Sequence, residues 1–379
     1  MVIKTLADLN VKDKLILLRI DINSEIINGR VQNNPRFLAH SETINLLLKR
    51  NAKVVILAHQ GNPGEKDFTS LEQHSKILNK YVKIKYVSDI IGKKAISEIQ
   101  KLKSGEAILL ENVRKLKDEF TPSKNNLFVK TLSKNADYYV NDAFSVMHRN
   151  QTSIVSFPSV LKSAVGPNVE DELKNLDKLR SKMKDSVFIL GGRKIKDISL
   201  LLDKNKVLST GTLSLLALKI KGHNLGKEEK ILEKELKNNE IKNNIDHIYT
   251  PIDVAILKNG KRKEIWVYEL PVNAEILDIG KETVKAYVNE IKKAKAVFFK
   301  GVSGKIEDKN FQYGTKEILK AIAKSKAFSI VAGGSSASSI DKFKISKKDI
   351  SYISLSGGAL VHYLAGKKLP GLEALKTNR

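Results

Sequence analysis

Cysteine is absent from the 379-residue chain, which removes disulfides and thiolate-held metals from consideration. That absence fits a reducing cytoplasm, the compartment expected here, without requiring one. Aromatic residues make up only 6% of the sequence, and basic blocks interleaved with aromatics, the mark of a single-strand-binding platform, are missing. No apolar run approaches the ~18–20 residues that span a bilayer. The opening MVIKTLADLNVKDK lacks the apolar core of a secretory signal. Membrane insertion and secretion are therefore not expected. Neither GxxxxGK[ST] nor GxGxxG occurs, so the Walker and Rossmann fingerprints are missing too.

What the chain does have is charge of one sign. Lys and Arg number 67 against 42 Asp and Glu, a net charge of +25. Such a balance raises the question of nucleic-acid binding. The excess, however, is lysine scattered among glutamate along helical segments, as in Lys227-Glu228-Glu229-Lys230 and Glu233-Lys234-Glu235. A solvated lysine-rich surface is the plainer reading, and nucleic acid is not expected as a partner. The same positive field speeds encounter with small polyanions. The length exceeds one ordinary core and implies about two domains. With 41% hydrophobic residues the chain is globular.

Strand-type runs at 15–20, 53–57, 107–110 and 138–140 alternate with helical spacing over 39–49, 70–81 and 127–133. That alternation predicts βαβ units and a parallel sheet covered on both faces. After Pro158 and Pro167, residues 169–183 read as one polar helix. A second strand series follows at 187–190, 206–209, 247–251, 296–299, 328–331 and 350–354. The expected fold class is α/β. Its two Rossmann-like three-layer α/β/α lobes have parallel sheets and cover residues 1–165 and 186–365, joined by a connecting helix at 166–185.

Two runs end abruptly in polar groups. Leu17-Leu18-Arg19-Ile20-Asp21-Ile22-Asn23 delivers Arg, Asp and Asn, and Ala58-His59-Gln60-Gly61-Asn62-Pro63 delivers His. Open α/β sheets build ligand sites at the carboxyl ends of their strands in this way. For either segment alone, a buried strand with a capping Asp is the plainer alternative. Glycine turns close five strands of the second half: Gly191-Gly192, Gly211, Gly301 with Gly304, Gly333-Gly334 and Gly357-Gly358. One such turn is only a turn. Five in one domain point to a nucleotide cradle, where helix N-termini offer free N–H groups to phosphate. An anionic substrate on one lobe and a nucleotide on the other suggest phosphoryl transfer after domain closure.

The segments LLRIDIN, NNPRFLAHSETI, KVVILAHQGNPG, LLENVR, YVNDAFSVMHR, ILGGRKIKD, GKIED, AGGSS and SGGALVHYLAGKKLPG follow one another over nearly the whole chain. Together they resemble the phosphoglycerate kinase family, of archaeal type. The resemblance implies that 3-phosphoglycerate binds the first lobe and ATP or ADP with magnesium the second. It implies a tail, 366–379, that returns to the first lobe, and a monomer, with a dimer left open. Asp21 and Asn23 correspond to groups that hold the hydroxyl and carboxylate end of 3-phosphoglycerate. Arg36 corresponds to the arginine that approaches the transferring group. His59, Arg114 and Arg149 resemble the basic residues on the substrate phosphate, with Asn62 beside them. On the nucleotide side, Lys194 resembles the phosphate-reaching lysine and a catalytic group, and Glu307 the acid on the ribose hydroxyls. Gly191, Gly192, Gly211, Lys300, Gly333, Gly334, Ser335 and Ser336 complete the expected nucleotide site, and no residue is assigned as a metal ligand.

Several positions depart from the common family pattern. Asn62 stands where an arginine is usual, and Ile198 where many members carry a second nucleotide-contacting lysine that Lys196 could replace. Lys300 and Val302 replace an asparagine and a proline, and Ser335 replaces an aspartate that helps hold magnesium. Losing a carboxylate weakens the hold on a hard cation, and Lys300 could offset this by neutralising phosphate charge directly. The departures leave a second reading, a paralogue that binds without efficient turnover. Retention of Asp21, Asn23, Arg36, His59, Arg114, Arg149, Lys194 and Glu307 favours an active kinase.

Overall fold

A computed structural model of the protein describes residues 3–193, 195, 197–203, 205–233, 235 and 239–376. They form two compact units. One holds the described residues up to Lys174 together with those from Lys367 onward, and the other runs from Asn175 to Gly366. The boundary falls inside the helix Pro167–Arg180.

The strands of the first unit are β1 (Leu15–Arg19), β2 (Ile26–Ile27), β3 (Arg30–Val31), β4 (Lys53–Leu57), β5 (Lys85–Val87), β6 (Ala107–Leu110), β7 (Tyr138–Asn141) and β8 (Lys162–Val165). Six of them make one sheet in the order β5-β6-β4-β1-β7-β8, parallel throughout, and β2 and β3 form a separate hairpin. Every residue of β1 and β6 is buried, as strands covered on both faces require. From β1 the chain turns to one side through β4, and β7 lies on the other side. The crevice beyond the carboxyl ends of β1 and β7 is therefore a topological switch point, where ligands of open sheets bind. The last helix, Pro370–Lys376, seats Leu372 and Leu375 in this unit, and its Gly371 N–H donates to the Met147 carbonyl at 2.9 Å.

In the second unit β9 (Ser186–Leu190), β10 (Lys206–Ser209), β11 (Ile248–Tyr249), β12 (Asp253–Lys258), β13 (Lys261–Trp266), β14 (Ile276–Ile279), β15 (Ala296–Lys300), β16 (Phe328–Ala332) and β17 (Tyr352–Ser354) follow in turn. The main sheet runs β11-β10-β9-β15-β16-β17, again all parallel, with its switch point between β9 and β15. The α/β class with two parallel sheets is as expected.

An antiparallel sheet, β13-β12-β14, is an addition to the expected fold. Its sequence signal is Asn259-Gly260 between β12 and β13, with φ of 51° and 71°, the two-residue turn that matches strand twist. Other differences are local. The helix expected at 39–49 begins at Pro35, because the Asn34 side chain caps it by accepting the Arg36 N–H at 2.9 Å. The helix expected at 70–81 shortens to Glu72–Leu78, and the strand expected at 247–251 pairs only over Ile248–Tyr249.

Candidate active site

At the carboxyl ends of the first sheet, four basic groups converge. Arg19, the last residue of β1, is fully buried. Its Nε donates to the Ser153 hydroxyl at 2.9 Å, its Nη1 to the Ile20 carbonyl, and its Nη2 to His59 Nδ1 at 3.1 Å. Since a guanidinium only donates, His59 Nδ1 accepts and the ring proton sits on Nε2. Burial, and then the Arg19 charge, hold the His59 pKa well below its ordinary value, so the imidazole is neutral.

Arg114 is set by the turn Val113–Lys115, whose N-cap Asn112 accepts the Arg114 N–H at 3.1 Å. Its Nη1 donates to the Gly61 carbonyl at 2.6 Å and to Asn62 Oδ1 at 2.9 Å. Burial, and then Arg149 and Arg19, push its pKa down to about 10. The Nε atoms of Arg114 and Arg149 are both buried without a partner. Buried charged donors left unpaired beside like charges are costly, and a dianion placed among them would satisfy both.

A second network fixes the acid end of this crevice. Asp21 is buried; its Oδ2 pairs with Arg36 Nη1 at 3.0 Å and accepts the Ser145 hydroxyl, and its Oδ1 accepts the Asn23 N–H at 3.0 Å. Burial alone would raise its pKa, but Arg36 and these hydrogen bonds outweigh it and hold the carboxyl well below the usual range. The Asp21 N–H donates to His40 Nε2 at 3.2 Å, and His40 Nδ1 lies 3.1 Å from Asp142 Oδ2. Thr43 and Asn168 donate to the same Asp142 oxygen at 2.7 and 2.6 Å. Arg36 also donates to the Asn23 carbonyl at 3.2 Å.

Asn23 Oδ1 is spent on the Gly61 N–H at 2.9 Å, which locks the end of β1 to the turn after β4. Asn62 likewise works inside the protein, between Arg114 and Glu65 Oε2 at 2.8 Å. In place of the cation usual at its position, it steers one already there. The structure thus brings together Asp21, Asn23, Arg36, His59, Asn62, Arg114 and the Arg149 turn. Sequence reasoning did not assign Arg19, His40, Asp142 or Gln151, whose Oε1 accepts from Arg114 Nη2 at 3.4 Å. Arg19 alone carried a signal, as a charge inside an aliphatic strand.

In the second unit the expected glycine turns are laced to one another. The N–H groups of Gly191, Gly192 and Gly211 donate to the carbonyls of Lys300, Val302 and Ser303 at 2.9, 3.0 and 3.2 Å. The Gly301 N–H donates to the Ser336 hydroxyl at 2.8 Å. These amides are therefore engaged within the protein, because the loops use them to hold each other. Gly301 has φ +87°, and a Cβ there would lie 2.1 Å from the Gly191 carbonyl oxygen.

The open donors lie instead at the helix Gly334–Lys342, which follows Gly333 at φ +90°. The first N–H groups of a helix have no partner within it. Lys300, at the end of β15, places Nζ 3.5 Å from where a Gly333 Cβ would be. Burial lowers its pKa, and Asp197 opposes that shift. A cation facing a helix N-terminus is unfavourable, and an anion between them relieves it. Ser335 and Glu307 are exposed. Ile198 is 1% exposed and packs in the interior. Lys194 and Lys196 lie outside the described residues. Among the described residues, no three His, Cys, Asp or Glu side chains gather as a metal-holding group.

Comparison with known proteins places this arrangement. The family model described as phosphoglycerate kinase matches residues 6–367. The phosphoglycerate kinase of Methanothermus fervidus is 39% identical over 401 residues, covering 99% of this chain and 97% of its own. That of Archaeoglobus fulgidus is 38% identical, covering 98% of this chain and 96% of its own. The crystal structure of phosphoglycerate kinase from Pyrococcus horikoshii OT3 superimposes with a TM-score of 0.90 at 34% identity, covering 98% of each chain. The Coxiella burnetii phosphoglycerate kinase structure gives a TM-score of 0.81 at 29% identity, covering 99% of each chain.

Proposed function

The chain belongs to the phosphoglycerate kinase family, and from that premise we propose how its residues divide the work. The enzyme transfers a phosphoryl group reversibly between ATP and the carboxylate of 3-phosphoglycerate, and in the glycolytic direction from 1,3-bisphosphoglycerate to ADP. The carboxylate is already ionised at neutral pH, so the attack on the γ-phosphorus needs no general base. What the protein supplies is position and compensating charge.

The observation that carries the assignment is the pair of buried, unpartnered Nε atoms on Arg114 and Arg149 beside the Arg19–His59 contact. That cluster fits the phosphate of 3-phosphoglycerate. Asp21 and Asn23 face the hydroxyl and carboxylate end of the substrate. Arg36, at the capped start of its helix, stands where charge develops on the transferring group. On the second unit Lys194, Lys300 and the N–H groups of Gly334, Ser335 and Ser336 serve the nucleotide phosphates, and Glu307 the ribose. Gly191, Gly192, Gly211 and Gly301 act as a fixed frame for these groups.

Magnesium enters as part of the nucleotide substrate. It keeps most of its water and phosphate oxygens and needs few protein ligands, which suits a turn carrying Ser335. A monomer working in the cytoplasm is the simplest setting; no helix of the described residues is long and apolar enough to cross a membrane. Steady-state assay with ATP, magnesium and 3-phosphoglycerate tests the roles. Arg36→Met is expected to lower kcat by about a hundredfold or more with the nucleotide KM nearly unchanged, and to raise the 3-phosphoglycerate KM because Asp21 loses its partner. A wild-type kcat in that variant would remove Arg36 from the transition state.

A further inference from the structure

The antiparallel sheet of the second unit holds the most completely bonded charged group among its described residues. Arg262, on the edge strand β13, donates through Nη1 to Asp278 Oδ2 at 2.8 Å and to the Asn310 carbonyl at 3.1 Å. Its Nη2 donates to the Ile279 carbonyl at 2.9 Å and to Glu264 Oε1 at 3.1 Å, and its Nε reaches the same Glu264 oxygen at 3.2 Å. The guanidinium also lies over the rings of Phe311 and Tyr313, 5.9 and 5.4 Å from their centres.

Its partner Asp278, on β14, is 4% exposed and accepts the Gly314 N–H at 2.9 Å. The carboxylate packs so closely that a Cβ on Gly304 would lie 2.6 Å from it, and one on Gly314 2.4 Å. A single ion pair thus touches both limbs of one loop, the segment 301–312 between β15 and the helix Tyr313–Lys324.

Other bonds tie the same loop down. The Lys305 N–H donates to the Leu277 carbonyl on β14 at 2.8 Å, and Gln312 Nε2 donates to the Ile306 carbonyl at 2.8 Å. Lys342, from the helix that begins at Gly334, donates to that same Ile306 carbonyl. Glu307 is the next residue, exposed at the tip of a segment whose two ends are fixed. A surface carboxylate on a free loop would lose backbone as well as side-chain entropy on binding, whereas on a braced loop the backbone part has already been lost.

We propose that Arg262 and Asp278 are positioning residues for nucleotide recognition: their ion pair, standing on the small sheet, holds the 301–312 loop so that Glu307 meets the ribose hydroxyls. The inference rests on the reading of Glu307 given above and adds the device that aims it. The sheet then supports the nucleotide site through the loop it holds.

The test compares ATP with 2′-deoxy-ATP as substrates for wild type, Glu307→Gln, Arg262→Met, Arg262→Lys and Asp278→Asn. Melting temperatures of each are recorded in parallel. Wild type is expected to favour ATP in KM, and Glu307→Gln to lose that preference. Arg262→Met and Asp278→Asn are expected to raise the ATP KM about tenfold and to lose the ribose preference. Their 3-phosphoglycerate KM and their kcat at saturation should stay within about twofold of wild type. Arg262→Lys, which keeps charge without the fork, should fall between.

Variants that are folded and keep the full ribose preference would overturn the positioning role while leaving Glu307 in place. An unchanged preference in Glu307→Gln would overturn the reading of Glu307 itself, and the proposal with it. Should a variant fail to fold, Arg262→Lys, which retains most of the packing, carries the same comparison.

Discussion

Arg114 shows how much of a binding group's strength is set before the ligand arrives. Its Nη1 is engaged by Gly61 and Asn62, which leaves Nε and its direction fixed. Arg114→Lys keeps the charge but cannot hold that turn and a phosphate together. It should raise the 3-phosphoglycerate KM about tenfold, with the nucleotide KM unchanged in the same assay.

Asp278 supplies a second residue-scale expectation, because burial pushes its pKa up to about 6 while Gly314 and Arg262 pull it down. Arg262 is the charged group that meets it, and Arg262 in turn faces Glu264 on β13 and Tyr313 on the following helix, with Lys281 against Glu264 and Lys285 near Tyr313 on the helix Lys281–Lys293. Below about pH 6 Asp278 takes up a proton and its ion pair with the still-charged Arg262 is lost. The ATP KM should therefore rise on acidification in wild type and flatten in Asp278→Asn; equal pH profiles for the two would count against it. The fold does not weaken for the same reason. A carboxyl whose folded pKa exceeds its unfolded value binds protons more tightly when folded, so this group's titration favours the folded state as pH falls. Asp21, depressed by Arg36, has the opposite sign: its contribution is present above the unfolded value and lost only when pH drops through the folded one.

Arg36 and Arg114 stood out only through the family resemblance of NNPRF and LLENVR, whereas His59 was legible in the sequence because it sits in a short polar break after an apolar run. His40, Asp142 and Gln151 were not, since ordinary helix and loop residues gain meaning only from the atoms they meet across the sheet. Asn62 was read as a missing cation because sequence shows the lost charge and not the guanidinium it steers.

At the scale of elements, the glycine turns of the second unit separate into two kinds. Gly301 is a framework glycine: φ +87° and a carbonyl 2.1 Å from any added Cβ leave no room. Gly334, by contrast, has nothing within 4 Å of that position. Gly301→Ala is expected to cost about 2–4 kcal/mol of stability, read from urea unfolding of the second unit. Gly334→Ala should leave stability within about 0.5–1 kcal/mol and raise the nucleotide KM, since its methyl stands at the open mouth of the helix. A reversed pattern would mean the two loops have been assigned the wrong way round. Sequence located these turns but could not tell donor from frame, because that depends on which carbonyl each N–H meets. The parallel strands were legible from their unbroken aliphatic runs. The antiparallel sheet was not expected, although Asn259-Gly260 marked its hairpin, because β13 reads Lys-Arg-Lys-Glu before its two apolar residues.

For the whole molecule, the proposal that each unit takes its own ligand makes a spatial expectation. At a hundredfold excess over Kd, a ligand adds about 2.7 kcal/mol to the state that binds it. In hydrogen exchange, 3-phosphoglycerate should slow amides of the first unit, above all in β1, β4 and the turn at Arg114, and ADP those around Gly301 and Gly334. Protection by 3-phosphoglycerate confined to the second unit would invert the assignment. The net charge of +25 belongs to this scale as well, as a field that draws both polyanions in.

The helix Pro370–Lys376 has a bearing on how the protein is made. It belongs to the first unit, and its Gly371 holds the Met147 carbonyl two residues before Arg149. On the ribosome, the entire stretch Asn175–Gly366 emerges before that helix does. The second unit has all its residues by then, while the turn before Arg149 in the first unit still waits for the Gly371 contact. A nascent chain interrupted within that helix would hold every residue of the second unit but not all of the first. Translation order thereby supplies this support for the first unit only after the whole of the second has been made.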